Sequence, residues 1–223
     1  IVTANYISDN VSVLFGNGNG TFQTGVTFAT GDGPRSVALG DINGDGKLDI
    51  ITANYGTNAS PGSTTGVLLG NGNGTFQAQS TFATGIQPYS VALGDVNGDG
   101  KLDIITGNYG SGNASVLLGN GDGTFQTQST YATAAGTISV TLGDVNGDGI
   151  LDIITANFSD SSSVLLGNGD GTFAAQVSFS AGDGTFSVAL GDVNGDGRLD
   201  IITANYNSAN ASVILGTGGS AIT

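Results

Sequence analysis

The stretch SVALGDVNGDGKLDIITGNY, residues 90–109, joins an alternating apolar segment, a nine-residue run crowded with acids and amides, and a second apolar segment. Its centre, DVNGDGKLD (95–103), returns as DINGDGKLD (41–49), DVNGDGILD (144–152) and DVNGDGRLD (192–200). The copies begin at Asp41, Asp95, Asp144 and Asp192, 54, 49 and 48 residues apart. Self-similarity at that period marks a repeat architecture.

Working outward from residues 90–109, the unit continues as ASVLLGN (114–120) and TFQTQSTYAT (124–133), so each period holds four short apolar-rich segments. The connections GNGNGTF (16–22 and 70–76) and GNGDGTF (119–125 and 167–173) are rich in residues that accept positive φ, as tight hairpin turns require. In the first segment Val91 and Leu93 alternate with Ala92 and Gly94. One face is bulky and the other nearly bare, which suits crowding near an axis. Four strands in a repeat of roughly 40 to 50 residues predict an all-β chain: a β-propeller of four-stranded antiparallel blades.

The ends are incomplete units. Residues 1–34 match a unit without its first strand and acidic loop, and residues 187–223 match one without its fourth strand. The count is five blades in one repeat domain, with units near 1–34, 35–88, 89–137, 138–185 and 186–223. Both edges must be paired, covered or left open. Either the termini meet and close a five-bladed ring, or they pair with other chains. The closing stretch ILGTGGSAIT breaks the repeat pattern and reads as a possible true end.

Composition narrows the function. The net charge is −14, and all eighteen acids are Asp, twelve of them in the four loops. With Arg35, Lys47, Lys101 and Arg198 as the only basic side chains, no patch can neutralise phosphates, which argues against nucleic acid. The absence of Cys excludes a disulfide scaffold and leaves the redox compartment open. No apolar run approaches the roughly 18 residues of a membrane span, and no signal sequence opens the chain, which reads as a mature or excised soluble segment. Without His, Cys, Glu or Trp, triads, thiol nucleophiles and Glu acid/base pairs are unavailable, and the chain reads as non-catalytic.

The acidic loop carries oxygen ligands at positions 1, 3 and 5, a glycine at 6 and a backbone carbonyl at 7, as in the first half of an EF-hand loop, with a closing carboxylate at 9. The ligand sets are Asp41, Asn43, Asp45, Lys47 and Asp49; Asp95, Asn97, Asp99, Lys101 and Asp103; Asp144, Asn146, Asp148, Ile150 and Asp152; and Asp192, Asn194, Asp196, Arg198 and Asp200. Ile150 among basic residues at position 7 is explained if only its carbonyl is used. Three crowded carboxylates call for a hard divalent cation, and Ca²⁺ suits an irregular loop better than Mg²⁺, so about four Ca²⁺ sites are expected. Asp-Asn-Gly runs are also ordinary turn formers, but a turn has no use for an Asp at position 9 in all four copies.

Through SVALGDVNGDGKLDIITGNY and VLLGNGDGTF the chain resembles the FG-GAP or VCBS repeats of integrin-α-like propellers, abundant in bacterial secreted and surface proteins. The resemblance implies Ca²⁺ bound by the loop between the first two strands of a blade and an extracellular or cell-surface location. The chain departs from the pattern where its first unit lacks the loop and where VLLGN replaces the more usual phenylalanine-glycine start.

Tyr6, Tyr55, Tyr109, Phe158 and Tyr206 end each second segment, and Phe22, Phe76, Phe125 and Phe173 recur in the turns. Both ladders are expected to pack between blades, the first with a minor claim as a ring of ligand-stacking platforms. Asp122 and Asp170 read as turn residues, because Asn19 and Asn73 replace them. The seven N-x-S/T patterns, at Asn10, Asn19, Asn58, Asn73, Asn113, Asn157 and Asn210, are for the most part the chance yield of an Asn-, Ser- and Thr-rich chain and matter only if the source glycosylates. The insert TNASPGSTTG (57–66) is the one strongly individual loop and the first place to look for a partner. The expected function is a calcium-stabilised binding, adhesion or structural surface module for a protein or glycan, with a propeller lectin or an extracellular fibre subunit as alternatives.

Overall fold

The computed structural model of the chain describes residues 1–217. Among them, eighteen strands form five antiparallel sheets and no helix occurs. The first sheet holds β1 (Val2–Asn5), β2 (Asn10–Val13) and β3 (Val26–Ala29). The second holds β4 (Pro34–Gly40), β5 (Asp49–Gly56), β6 (Pro61–Leu68) and β7 (Ser80–Ala83). The third has β8 (Pro88–Gly94), β9 (Asp103–Asn108), β10 (Asn113–Leu117) and β11 (Ser129–Ala132), and the fourth β12 (Thr137–Gly143), β13 (Asp152–Asn157), β14 (Ser161–Leu165) and β15 (Val177–Ser180). The last has β16 (Thr185–Gly191), β17 (Asp200–Asn205) and β18 (Asn210–Ile214). Each sheet is a meander in chain order, the architecture of a propeller blade.

Successive sheets pack face to face, with β1 against β4, β4 against β8, β8 against β12 and β12 against β16. The adjacent isoleucines of the IITAN and IITGN runs alternate across the sheet, so they serve different neighbours. Ile50 packs with Val11 and Val13 of the preceding sheet, while Ile51, with Ala53 and Val67, meets Val91, Ile104 and Leu117 of the next. The same division repeats at Ile104 and Ile105 and at Ile153 and Ile154. Burial on both faces explains why each of these strands opens on two adjacent isoleucines in place of an apolar–polar alternation. The bare face of the first strand is turned to the following sheet: a Cβ on Gly94 would stand 2.6 Å from Cδ1 of Leu142.

A buried polar ladder ties each second strand to the third. Thr106 Oγ1 donates to Asn108 Oδ1 (2.9 Å), and Asn108 Nδ2 donates to Asn113 Oδ1 and Ser115 Oγ (both 2.8 Å). Equivalent bonds join Thr203, Asn205, Asn210 and Ser212 in the last sheet. Every polar group of Asn108 that leaves water is thereby met by a partner of the right kind.

Two details differ from the sequence reading. The fourth strand is only the end of its segment: Phe125 makes an isolated bridge to Gly119, and pairing resumes at Ser129. The insert at 57–66 extends a hairpin, with Pro61–Leu68 in strand and only Thr57–Ser60 turning. Of the two alternatives left open for the ends, ring closure is not the one seen: among the described residues the principal strand-to-strand packing joins successive sheets and not the first to the last. The last sheet consequently leaves a face uncovered, where Val213 is 51% exposed against 1% for its equivalent Val116. The close of ILGTGGSAIT lies outside the described residues.

Candidate metal centres

Each acidic loop connects the end of a first strand to the start of a second, so all four lie at one end of their sheets. In the loop at 41–49, Asp41 Oδ1 and Asn43 Oδ1 accept from the same Asp45 N–H, at 3.0 and 3.1 Å, and Asp41 Oδ2 accepts from Gly46 N–H at 2.7 Å. Asp45 Oδ1 accepts from Lys47 N–H at 3.0 Å. The other loops repeat this, with Asp95 and Asn97 on Asp99 N–H, Asp144 and Asn146 on Asp148 N–H, and Asp192 and Asn194 on Asp196 N–H. Gly44 and Gly46, at φ of 72° and 81°, supply the left-handed turns that curl positions 1, 3 and 5 inward.

Position 9 is placed differently. Asp49, Asp103, Asp152 and Asp200 are fully buried as the first residues of β5, β9, β13 and β17. Asp103 Oδ2 accepts from Val96 N–H (2.9 Å) and Oδ1 from Gly119 N–H (2.8 Å). The carboxylate thus ties the loop base to the turn after the third strand, and Asp49, Asp152 and Asp200 make the same pair of bonds. Burial pushes the Asp49, Asp103 and Asp152 carboxyls above the usual range; the two backbone donors pull them back, and the carboxylates at positions 5 and 1 add to the rise. The sequence marked position 9 as essential, but the sequence reading missed this clamp, whose second donor lies sixteen residues on in the third unit. The signal available was the glycine at 70, 119, 167 and 216: a Cβ on Gly119 would stand 2.3 Å from the Leu102 carbonyl oxygen.

At position 7, Lys47, Lys101 and Arg198 reach back to Asp45, Asp99 and Asp196 at 3.0, 3.3 and 3.5 Å. Ile150 gives its loop no such counter-charge. Asp45 is held below the usual carboxylate range by the Lys47 side chain, Asp99 by the Lys101 backbone N–H, and Asp192 by the Gly197 N–H. Among the described residues no three acid side chains form one cluster. The donor set nonetheless fits a hard divalent cation, being entirely carboxylate, amide and carbonyl oxygen, with positions 1 and 3 meeting on a common N–H. A carboxylate has about four acceptor sites, so the clamped position 9 keeps capacity for a further partner.

The opposite end of the sheets carries a second constellation. Pro34 pairs with Asn54 at the end away from the loop, so the starts of first strands meet the ends of second strands there. Arg35 lies over the rings of Tyr6, Tyr55 and Tyr89, at 4.3, 4.3 and 4.7 Å from their centroids, and its Nη1 donates to Tyr89 Oη at 3.1 Å. Tyr89 also meets Tyr109 (6.3 Å) and Phe186 (6.2 Å), and Phe186 meets Tyr206 (6.1 Å). The first aromatic ladder does bridge successive sheets, at Tyr6–Tyr55 (6.2 Å) and Tyr55–Tyr109 (6.4 Å), and its first two members also flank Arg35 at this end of the molecule. Arg35, Tyr89 and Phe186 escaped the sequence reading. They occupy, with Ile138, the one freely varying slot in PRSVALG, PYSVALG, TISVTLG and TFSVALG, and that variation within a fixed frame was the available signal.

The second ladder also packs between sheets. Phe76, Phe125 and Phe173 make edge contacts with Phe28, Phe82 and Tyr131 at 5.0, 5.0 and 5.3 Å. Phe22, in the first of the described sheets, is the exception at 46% exposed. Asp122 and Asp170 act as turn residues, each accepting from the N–H and hydroxyl of Thr124 or Thr172.

The chain spans roughly two thirds or less of the solved structures it resembles. A lectin from Agrocybe aegerita, described for specific recognition of non-reducing terminal N-acetylglucosamine, is 20% identical, with a TM-score of 0.58 over 98% of this chain and 63% of that one. A functionally unknown protein from Desulfotomaculum acetoxidans is 12% identical, with a TM-score of 0.67 over 97% of this chain and 66% of that one. BBS1N, solved in complex with ARL6DN, is 12% identical, with a TM-score of 0.62 over 98% of this chain and 61% of its own. At such identities the likeness is one of fold. No curated protein matches the chain. The FG-GAP repeat pattern matches residues 33–75, and the FG-GAP-like repeat pattern matches 1–52, 55–106, 95–155 and 144–203, so that nearly every described residue falls within a match: the chain belongs to the FG-GAP-like repeat family.

Proposed function

We propose that the protein is a non-catalytic, calcium-stabilised β-propeller module that serves outside the cell as a recognition or adhesion surface. The observation that carries this reading is the loop at 144–152, where Asp144 and Asn146 accept from one N–H, that of Asp148, while the Asp148 carboxylate accepts from Ile150 N–H, with Ile150 in place of a cationic partner. A hard divalent cation relieves that crowding. It would be held by Asp144, Asn146, Asp148, the Ile150 carbonyl and Asp152, and by the equivalent residues in the other three loops. Bound there, the ion would supply charge neutralisation and fix the loop on its strands. The remaining composition offers no His, Cys or Glu for acid/base or nucleophilic chemistry. Three of the four cations are engaged in the acidic loops, which leaves no surface for nucleic acid. No helix is long and apolar enough to cross a membrane.

Thermal melts in chelator and in Ca²⁺ test this reading. With a dissociation constant on the order of 10⁻⁴ M and about 1 mM Ca²⁺, each site adds roughly 1.4 kcal/mol, so four sites add roughly 5 to 6 kcal/mol. Calorimetry is expected to count about four ions per chain, and superimposable melts refute the reading. Glycan binding is a second reading, favoured by the fold shared with a lectin and by the exposed aromatic residues opposite the loops. The uncovered last sheet supports association with a second copy, the route to the fibre alternative.

A further inference from the structure

The departures from the repeat fall mainly in two places, the outer fourth segments (TFQTGVTFAT, TFQAQSTFAT, TFQTQSTYAT and TFAAQVSFSA) and the end of the sheets away from the acidic loops. The acidic loops differ from one another at two of nine positions, whereas the varying slot of Arg35, Tyr89, Ile138 and Phe186 and the lengthened hairpin at 57–66 all stand at the other end of the sheets. Exposed aromatic rings are concentrated there too. Tyr109 and Phe158, in the interior third and fourth sheets, remain 37% and 38% exposed, so the uncovered edges of the fold do not account for them. Phe186 and Tyr206 continue the same surface. Phe22, the remaining exposed aromatic among the described residues, is explained by its edge position.

Arg35 gives this surface its polarity. It is exposed, and among the described residues it is the one basic side chain without a carboxylate within 4.0 Å. A guanidinium has five N–H donors, and a single side-chain bond, to Tyr89, is made. The three tyrosine rings hold it in place while its donors remain open to a ligand. The acids of this end are Asp9, Asp32, Asp160 and Asp183 in the connecting turns. Asp9 and Asp160 accept from the N–H groups of Gly33 and Gly184, and Asp183 accepts from Asn207. One cation against four acids makes the end net negative and disfavours an anionic ligand.

We infer that this end is a site for a neutral glycan, with a pyranose stacked on the exposed rings around Tyr109, Phe186 and Tyr206 and its hydroxyl oxygens accepting from Arg35. A sugar ring presents an apolar C–H face and a rim of hydroxyls, and the surface offers both complements side by side. The inference rests on the recognition-module reading and on its glycan variant, and adds the residues and the class of sugar.

The molecule contains its own reporter. It has no Trp, and five of its six tyrosines, Tyr6, Tyr55, Tyr89, Tyr109 and Tyr206, lie at this end, so tyrosine emission reads the site directly. The whole chain, in Ca²⁺, is titrated with tetrasaccharides of N-acetylglucosamine, glucose, mannose and galactose and with tetragalacturonate. Binding is measured in parallel by calorimetry. A saturable change in emission with a neutral tetrasaccharide is expected, weakened about tenfold by Arg35→Gln and by Tyr206→Ser and unchanged by Tyr131→Phe, which alters the distant sixth tyrosine. Tyr206 is 73% exposed, so its replacement leaves the fold intact and keeps the test valid if the Arg35 variant misfolds. Neutral-glycan binding that both variants retain overturns the site while sparing the glycan reading. Binding of tetragalacturonate alone overturns the ligand class, and no binding to any of the five overturns both.

Discussion

The double role of position 9 is best separated by substituting Asp103 and Asp95 to alanine and measuring each variant with and without metal. Asp103→Ala leaves the N–H groups of Val96 and Gly119 without acceptors in a site from which water is excluded. Each unsatisfied buried donor costs about 1–3 kcal/mol, and relief from burying the carboxylate charge offsets part of the sum. A net loss of about 3 kcal/mol is expected, lowering the melting temperature by about 6–12 °C for a chain of this size. Asp95→Ala removes acceptors from Gly98, Asp99 and Gly100, whose N–H groups water can reach, so in chelator it is expected to cost little. In Ca²⁺ both variants are expected to lose one ion in four. Urea unfolding in chelator gives the first comparison, and hydrogen exchange at Val96 and Gly119 locates the loss. Equal stabilities for the two variants in chelator would refute the clamp, leaving position 9 as a ligand and nothing more.

Other expectations follow from single contacts. Lys101→Ile is expected to leave Ca²⁺ affinity unchanged in calorimetry, because the third loop already carries Ile150 and the Lys101–Asp99 pair is exposed. Ser162→Ala is expected to raise stability by about 1 kcal/mol in urea unfolding, since the Ser162 hydroxyl is buried without a hydrogen-bond partner and the neighbouring sheet carries Ala114 there. Gly143→Ala is expected to cost about 1–2 kcal/mol, because its Cβ would stand 2.5 Å from Cδ1 of Leu190, whereas the equivalent Gly191→Ala meets nothing within 4 Å and is expected to be neutral. Light scattering at rising concentration is expected to show mass above 21.9 kDa through the uncovered last sheet, and a Val213→Lys variant that associates as readily as the parent would refute that route.

The strand count, the sheet order and the incomplete end units were legible because hydrophobic period and turn chemistry are local properties. The neighbours of a side chain were not. Period two places Ile104 and Ile105 on opposite faces, but it does not say that one meets Ile51 of the preceding sheet and the other Val140 of the next. Asp103 read as a ligand because its spacing from Asp95 is local, while its bond to Gly119 spans a whole strand. The tyrosine ladder was legible only in part, for a related reason. Tyr109 follows the last residue of β9, where the strand alternation stops fixing direction, and its ring meets Tyr89.

The two ends of the sheets obey different constraints. At the loop end a bound cation would set the same demand in every blade: oxygen donors at 1, 3 and 5, positive φ at 4 and 6, and a clamp at 9 that closes on the turn glycine of the same sheet. No blade can relax these terms without losing its own stability, so the copies stay alike. At the other end the polar ladder of Thr106, Asn108 and Ser115 already satisfies the hairpin from within. The next residue, Tyr109, and the Arg35 and Phe186 positions of the first strands then stand open to solvent, whereas Tyr55 and Ile138 at the equivalent positions are buried. Arg35, Tyr89, Ile138 and Phe186 show that one slot accepts a cation, a phenol, an aliphatic and a phenyl ring on the same backbone. Such freedom lets a repeat protein place unlike side chains around one centre. Specificity can therefore be written at this end while stability is held at the other.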